Sequence, residues 1–318
     1  MSHQINTMMY VRDVPWHGLG KRLEKQATSE EAIVAAGLNF AVEKYPMRAV
    51  INAKTNEVVP VPGKFATVRT DSNDVLGVVG SRYHVIQNKD AFRFFDALVG
   101  EGEAMYETAG ALGLGERIWI LAKLPGFIKV HGNDIVDKYL LLSNSHDGSS
   151  IVRAKLTPIR VVCNNTLSMA LRGAEQEVHV RHTASAEDRM EAAHKVLGLS
   201  NALYSDLQEI FQKMALVKVT DKQLLEYVKT LIPDNDKADN HTRTNNIRAK
   251  VLELAEVGVG ASMSRGTVWG AYNAVTEFTD HVYNTTSVDK KLTSIWFGAG
   301  AKMKVEAFDL AKELAGLN

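Results

Sequence analysis

Residues 104–124 read AMYETAGALGLGERIWILAKL, and their pattern is the strongest indication of the fold class. Two runs of strand-forming residues, 104–112 and 117–124, flank the tripeptide Gly113-Leu114-Gly115. Glycines at such a point let the backbone reverse, so the pattern predicts an antiparallel hairpin. A phosphate-cradling loop would instead need a Lys-Ser/Thr pair at the opening of a helix, which is missing here. We therefore expect a hairpin-built sheet in the first half of the chain.

Further strand and helix signals extend this hairpin in both directions. Short β-branched runs bounded by Asn, Gly, Pro and Asp predict additional strands. Helical spacing of apolar residues after a capping residue predicts two helices. The predicted strands are 40–50, 58–61, 65–69, 75–79, 139–143, 151–156 and 177–182, the predicted helices are 28–37 and 87–99, and residues 1–25 are predicted as an ordered loop.

The pattern changes towards helix in the second half. Pro158 is suited to a first helical turn, so residues 159–171 are predicted as a helix. Helices are further predicted at 185–215, 220–231, 244–258, 267–283 and 302–314. Because strands cluster before helices, we predict an α+β fold with a mixed, mainly antiparallel sheet and packed helices. Its sheet-rich domain is expected at 1–183 and a mostly helical domain at 184–318, since 318 residues fit about two domains.

Composition limits the classes of function. Lys plus Arg and Asp plus Glu both number 37, which argues against a protein that coats nucleic acid by bulk positive charge. A single cysteine, Cys163, excludes an internal disulfide and a cysteine-rich zinc site, and it fits a reducing compartment. Residues 1–12 are polar, and no apolar run approaches the length of a membrane span. We expect a cytoplasmic protein without membrane contact.

A polar cluster, Ser145-His146-Asp147-Gly148-Ser149, follows a predicted strand. His146 and Asp147 are a candidate polar site, because a His-Asp pair can ligate a divalent metal or transfer protons. Adjacent residues point in different directions, however, and the sequence offers no second cluster at ligand spacing. Asp-Gly is also a strong turn signal. We therefore favour a turn over a catalytic pair.

A second unusual stretch runs from Arg160 to Thr166 and contains Cys163-Asn164-Asn165. Cys163 lies among apolar residues and is predicted to be a buried small side chain. A nucleophilic role would need a nearby cation, which Arg160 would supply in a helix. Asn164 and Asn165 are assigned to hydrogen bonds with backbone or ligand.

Residues 153–182 form the most basic window of the chain. Five basic residues stand against Glu175 and Glu177, a net charge of +3. At strand spacing, Arg153 and Lys155 share a face. Such cations can line a groove for nucleic-acid phosphates, although an ordinary solvated face is an equally good explanation. The candidate phosphate contacts are Arg153, Lys155, Arg160, Arg172 and Arg181.

Several motifs of this chain, in a fixed order, resemble a family that is found on phages and plasmids. They are PWHGLG at 15–20, HDGS at 146–149, PIRVVCNNT at 158–166, HT at 182–183, and WFG at 296–298 followed by Lys302. The family is called domain of unknown function 932, or phage/plasmid-like protein. The resemblance spans nearly the whole chain and implies a role in replication, recombination or defence evasion of a mobile element. It supplies no catalytic residues.

From these observations we predict a DNA-binding protein of recombination or replication in a bacterial host cell. The fold class is also compatible with Rad52-like single-strand annealing proteins, by analogy of fold. The predicted partner is single-stranded DNA, bound by a homo-oligomer in a ring or filament, without a cofactor or resident metal and without enzymatic activity. Two alternatives are a metal-dependent nucleic-acid hydrolase using His146 and Asp147, and an anti-defence protein that binds a host factor.

Overall fold

The computed structural model describes residues 5–11, 20–25, 27–99, 105–150, 152–160, 162, 165–166, 177–180, 203–234, 241–283, 285 and 288–317. The protein is α+β, with mainly antiparallel sheets and a helical C-terminal region, which confirms the predicted fold class. Contacts divide the chain into two compact units that interleave along the sequence. Unit 1 comprises Met1–Leu124, Leu140–Lys155 and Glu177–Gly198, and unit 2 comprises Pro125–Tyr139, Leu156–Gln176 and Leu199–Asn318. The predicted domain boundary at 183/184 lies outside the described residues.

The strands form a large sheet and a three-stranded sheet. The strands of the three-stranded sheet are β3 (Val42–Asn52), β4 (Glu57–Arg69) and β5 (Val75–Gly80). The other strands are β1 (Ile5–Val11), β2 (Lys21–Leu23), β6 (Met105–Leu112), β7 (Arg117–His131), β8 (Asp134–Ser145), β9 (Val152–Leu156), β10 (Ile159–Arg160), β11 (Asn165–Thr166) and β12 (Glu177–Val180).

The helices of unit 1 are α1 (Ser29–Ala35) and α2 (Asn88–Val99). In unit 2, residues 203–216 are helical and are called α3. The remaining helices are α4 (Asp221–Leu231), α5 (Thr242–Val257), α6 (Ala261–Ser264), α7 (Val268–Glu277), α8 (Val288–Trp296) and α9 (Ala299–Leu314). A π-helical turn, Phe278–Val282, continues α7. Within the described ranges, no helix is long and apolar enough to span a lipid bilayer.

The hairpin predicted from residues 104–124 is confirmed as β6 and β7. The two strands pair antiparallel, with Ala111 opposite Ile118 and Gly110 opposite Trp119. Gly113 adopts a φ of +66° in the turn, a value that glycine reaches without steric cost. Strand β8 is the other neighbour of β7 in the sheet order. The capping residue predicted for α1 is also confirmed, because Thr28 makes a complete capping box with Glu31.

The prediction of a loop for residues 1–25 is wrong where the structure places β1 and β2. Strand β1 pairs antiparallel with β6 and parallel with β2. Met8, Met9, Tyr10 and Val11 are all buried. A strand that is covered on both faces shows a continuous apolar run instead of an alternation, so the pattern did not identify it as a strand.

Strands β3 and β4 form a long hairpin in unit 1. The sequence predicted two strands for the β4 region, at 58–61 and 65–69, and the structure joins them into one. The register between β3 and β4 shifts between Pro46 and Arg48. Residues 48–60 lie beyond this shift and are called the arm. Four large apolar side chains of the arm are exposed, namely Val50, Ile51, Val58 and Val59.

Helix α7 is the centre of unit 2, because every one of its residues is buried. Trp269 packs against Phe211 of α3, with ring centroids 4.7 Å apart, and Tyr272 packs against Phe308 of α9 at 5.6 Å. Lys304 is buried beside Asp280, with Nζ 2.7 Å from Oδ1. Burial lowers the pKa of Lys304, while the Asp280 carboxylate opposes that change.

The prediction of a helix at 159–171 is wrong in its described part. Ile159 and Arg160 form β10, which pairs antiparallel with β8, and β10 pairs in turn with β11. A short apolar run has the same appearance in a buried strand and in a helix. Pairing with β8 therefore decides the conformation of this stretch.

Candidate functional site

Strand β9 presents two of the predicted phosphate contacts on one face. Val152, Ala154 and Leu156 are buried, whereas Arg153 and Lys155 alternate with them and are partly exposed. This alternation confirms that the two cations share a face. Because Val152 and Ala154 are buried in unit 1, packing fixes the part of the β9 backbone that carries the two cations.

Strand β12 places two further ionisable residues at known positions along β9. The two strands are antiparallel, with His179 opposite Arg153 and Glu177 opposite Lys155. The backbone register therefore pairs Arg153 with a histidine position and Lys155 with an acidic position.

Arg160 was also predicted to contact phosphate, and the structure gives it a different role. Its guanidinium and the Asp134 carboxylate are each only 1% exposed. Nε donates to Oδ1 at 2.8 Å and Nη2 donates to Oδ2 at 2.6 Å, a bidentate ion pair. Trp269 Nε1 donates to the same carboxylate at 2.8 Å. Arg160 thus connects β10 to β8 inside unit 2. Because its charge is buried and neutralised by Asp134, Arg160 is no longer a candidate phosphate contact.

The remaining predicted residues of the basic window are only partly described. Arg172, Arg181 and Asn164 lie outside the described residues. Asn165 belongs to β11, where its backbone is opposite Arg160. The structure therefore brings Arg153 and Lys155 together and leaves the other predicted contacts as sequence-based predictions.

The His146-Asp147 turn is built by contacts that separate the two side chains. His146 is fully buried, and its Nε2 donates to Oδ1 of Asn88 at 2.8 Å. Asp147 is 23% exposed, accepts a bond from the Ser149 backbone at 2.8 Å, and lies 4.0 Å from Arg117 Nε. The pair therefore does not converge on one point in space, as a shared metal ion or substrate proton would require.

The three-stranded sheet fixes this turn in place. Thr67 Oγ1 donates to the His146 carbonyl at 2.7 Å. Gly77 lies so close that an added Cβ would be 2.4 Å from Asp147 Cα, so only glycine fits there without movement. Tyr83 donates to the Ser145 carbonyl at 2.9 Å, and burial together with Asp147 raises the pKa of its phenol.

Metal binding finds no support in this region. No group of three or more His, Cys, Asp or Glu side chains suited to a metal ion occurs among the described residues. Zinc and magnesium sites need several converging ligands, and a single His-Asp dipeptide does not provide them. The hydrolase alternative therefore has no additional ligand in the described part of the chain.

The sequence prediction missed a row of exposed side chains on β7. It ended this strand at Leu124, whereas the strand continues to His131. Phe127, Lys129 and His131 are exposed, and the two residues between them are buried. The alternation itself was visible in the sequence. These three residues are called the β7 stripe.

Comparison with known proteins identifies one match by family. The sequence model of the protein family described as "Domain of unknown function (DUF932)" matches residues 75–296. This range contains β9, the β7 stripe, the His146-Asp147 turn and the buried Arg160, and it excludes β1–β4. No curated protein and no solved structure matches the chain.

Proposed function

This chain belongs to the family named domain of unknown function 932, and we propose that it binds and anneals single-stranded DNA in the recombination or replication of a phage or plasmid. The observation that carries the proposal is the pair Arg153 and Lys155, presented side by side on a packed strand. The motif resemblance to proteins of mobile elements supports the biological setting. The α+β fold supports the Rad52-like analogy at the level of fold class.

Annealing requires no bond chemistry. The protein has to hold phosphates while the base edges of the strand stay free to pair with a complementary strand. Arg and Lys contact phosphates without reading sequence, because they displace condensed counterions from the nucleic acid. Cations on a strand are spaced regularly and point to one side, which suits an extended backbone. Arg153 and Lys155 are the contacts we assign first, followed by Arg172 and Arg181.

A near-neutral protein neutralises few phosphates per copy, so useful affinity requires several copies side by side. Self-association is therefore part of the proposal, as a ring or a filament. The arm of unit 1 supports it, because its four exposed apolar side chains, Val50, Ile51, Val58 and Val59, would leave water if a second copy covered them. The exposed charges on and near the arm have both signs, Arg48, Lys54 and Lys64 against Glu43 and Glu57. A second copy can therefore meet this surface without strong repulsion between like charges.

The proposal predicts salt-dependent binding that ignores base sequence. We expect a labelled single-stranded oligonucleotide to bind at low salt, with log K falling linearly against log salt by about 0.7 for each phosphate contacted. Fluorescence anisotropy measures this slope, and a strand-pairing assay with complementary oligonucleotides measures annealing. Free oligonucleotide at low salt with excess protein would exclude the proposed function, and binding without faster pairing would exclude annealing.

A further inference from the structure

The β7 stripe combines an exposed aromatic ring with basic side chains on one strand face. Phe127 is 55% exposed, whereas large aromatic residues are usually buried to a greater extent. Lys129 and His131 follow it at alternate positions, so all three side chains project to the same side of β7. Ile128 and Val130 lie on the opposite, buried side. The core of unit 2 therefore fixes the strand that carries the stripe.

The acids of this segment do not offset these cations at the surface. Asp134 and Asp137 are the acidic residues of Pro125–Tyr139, and both are buried, at 1% and 9% exposure. Asp134 is also neutralised by Arg160. Nearby in unit 2, Gln212 of α3 donates to the Lys129 carbonyl at 2.9 Å, and the exposed charged residues of that helix are Asp206, Glu209 and Lys213. The exposed charge contributed by 125–139 itself is therefore positive.

We infer that the β7 stripe is a stacking platform for single-stranded nucleic acid, on which Phe127 stacks against a base while Lys129 contacts a neighbouring phosphate. This inference rests on the proposed function and adds a second contact surface, located in unit 2. Every base has a π-face, so stacking on Phe127 binds a strand without reading its sequence. The ring of His131 extends the same face and offers a second flat surface for a base.

The decisive experiment replaces Phe127 and varies the bases of the ligand. The probes are a thymidine oligonucleotide of about 20 nucleotides and an abasic strand of equal length, which keeps the phosphates but has no bases. We expect Phe127→Ala to weaken thymidine binding about tenfold and to leave abasic binding unchanged. Phe127→Trp should bind like the natural protein. Val257→Ala removes an exposed apolar side chain of α5 and is the control. It should change the affinity for neither the thymidine nor the abasic oligonucleotide.

A second variant separates the phosphate contact from stacking. Lys129→Ala should reduce the salt slope for both probes by about 0.7, whereas Phe127→Ala should leave the slope unchanged. If the natural protein binds thymidine oligonucleotide and Phe127→Ala binds it equally well, the stacking platform is refuted while the proposed function stands. An equal loss on both probes would also refute stacking. If the natural protein binds neither probe at low salt, the proposed function itself fails.

Discussion

Replacement of Asp134 by alanine is expected to lower the free energy of unfolding by about 3–5 kcal/mol. The substitution leaves the Arg160 guanidinium buried at 1% exposure without its bidentate carboxylate. It also removes the acceptor of the Trp269 indole N–H. A buried cation without a counter-charge has lost its hydration energy and has no ion pair to offset that loss. Removing only one partner of a buried pair therefore lowers the free energy of unfolding strongly. Urea-induced unfolding followed by circular dichroism measures the change.

Two controls make this prediction specific to burial. Lys250→Ala removes an ion pair with Glu253 that has a similar N–O distance, 2.8 Å, but lies on the surface. This substitution should lower the free energy of unfolding by less than about 1 kcal/mol. The double variant Asp134→Leu with Arg160→Met removes both charges and should be at least as stable as Asp134→Ala. A loss under 1 kcal/mol for Asp134→Ala would mean that the pair does not anchor unit 2.

Reversal of both β9 cations, Arg153→Glu with Lys155→Glu, is expected to weaken single-stranded DNA binding by about 25-fold or more near 0.1 M salt. Each phosphate contact on a single strand contributes about 0.7 to the salt slope, which corresponds to roughly fivefold in affinity at that salt concentration. Two lost contacts therefore give about 25-fold, and the introduced carboxylates add repulsion. Anisotropy titration at several salt concentrations measures both the affinity and the slope.

The matched control changes the charge of the protein by the same amount elsewhere. Lys218 and Lys222 are exposed in unit 2, and their joint replacement by glutamate also lowers the net charge by four. If binding depended on net charge, both double variants would weaken it equally. Equal losses would therefore remove Arg153 and Lys155 from the site, as would unchanged affinity in the β9 variant.

The elements that the sequence predicted well are those set by neighbouring residues. The β6–β7 hairpin is specified by Gly113-Leu114-Gly115 between two apolar runs, and the capping residue of α4, Thr220, directly precedes its helix. The shared face of Arg153 and Lys155 follows from strand alternation. Local rules suffice in these cases, because the tertiary structure agrees with the local preference.

The elements that the sequence did not predict depend on distant partners. Asp134, which forms the buried ion pair with Arg160, is 26 positions from Arg160 in the sequence. Trp269, which donates to the same carboxylate, is 135 positions from Asp134. No local pattern connects these residues. The continuation of β7 was missed because Pro125-Gly126 is normally a break between elements. In the structure both residues lie within β7, and the exposed Phe127 follows them in the same strand.

We propose that several copies of this chain assemble with a single DNA strand. The most direct test is the mass in solution at low salt, measured by light scattering after size exclusion, with and without a short single-stranded oligonucleotide. We expect an assembly much heavier than the 35.0 kDa chain, in which protein and nucleic acid elute together. A 35.0 kDa species under both conditions, with the oligonucleotide eluting separately, would contradict it.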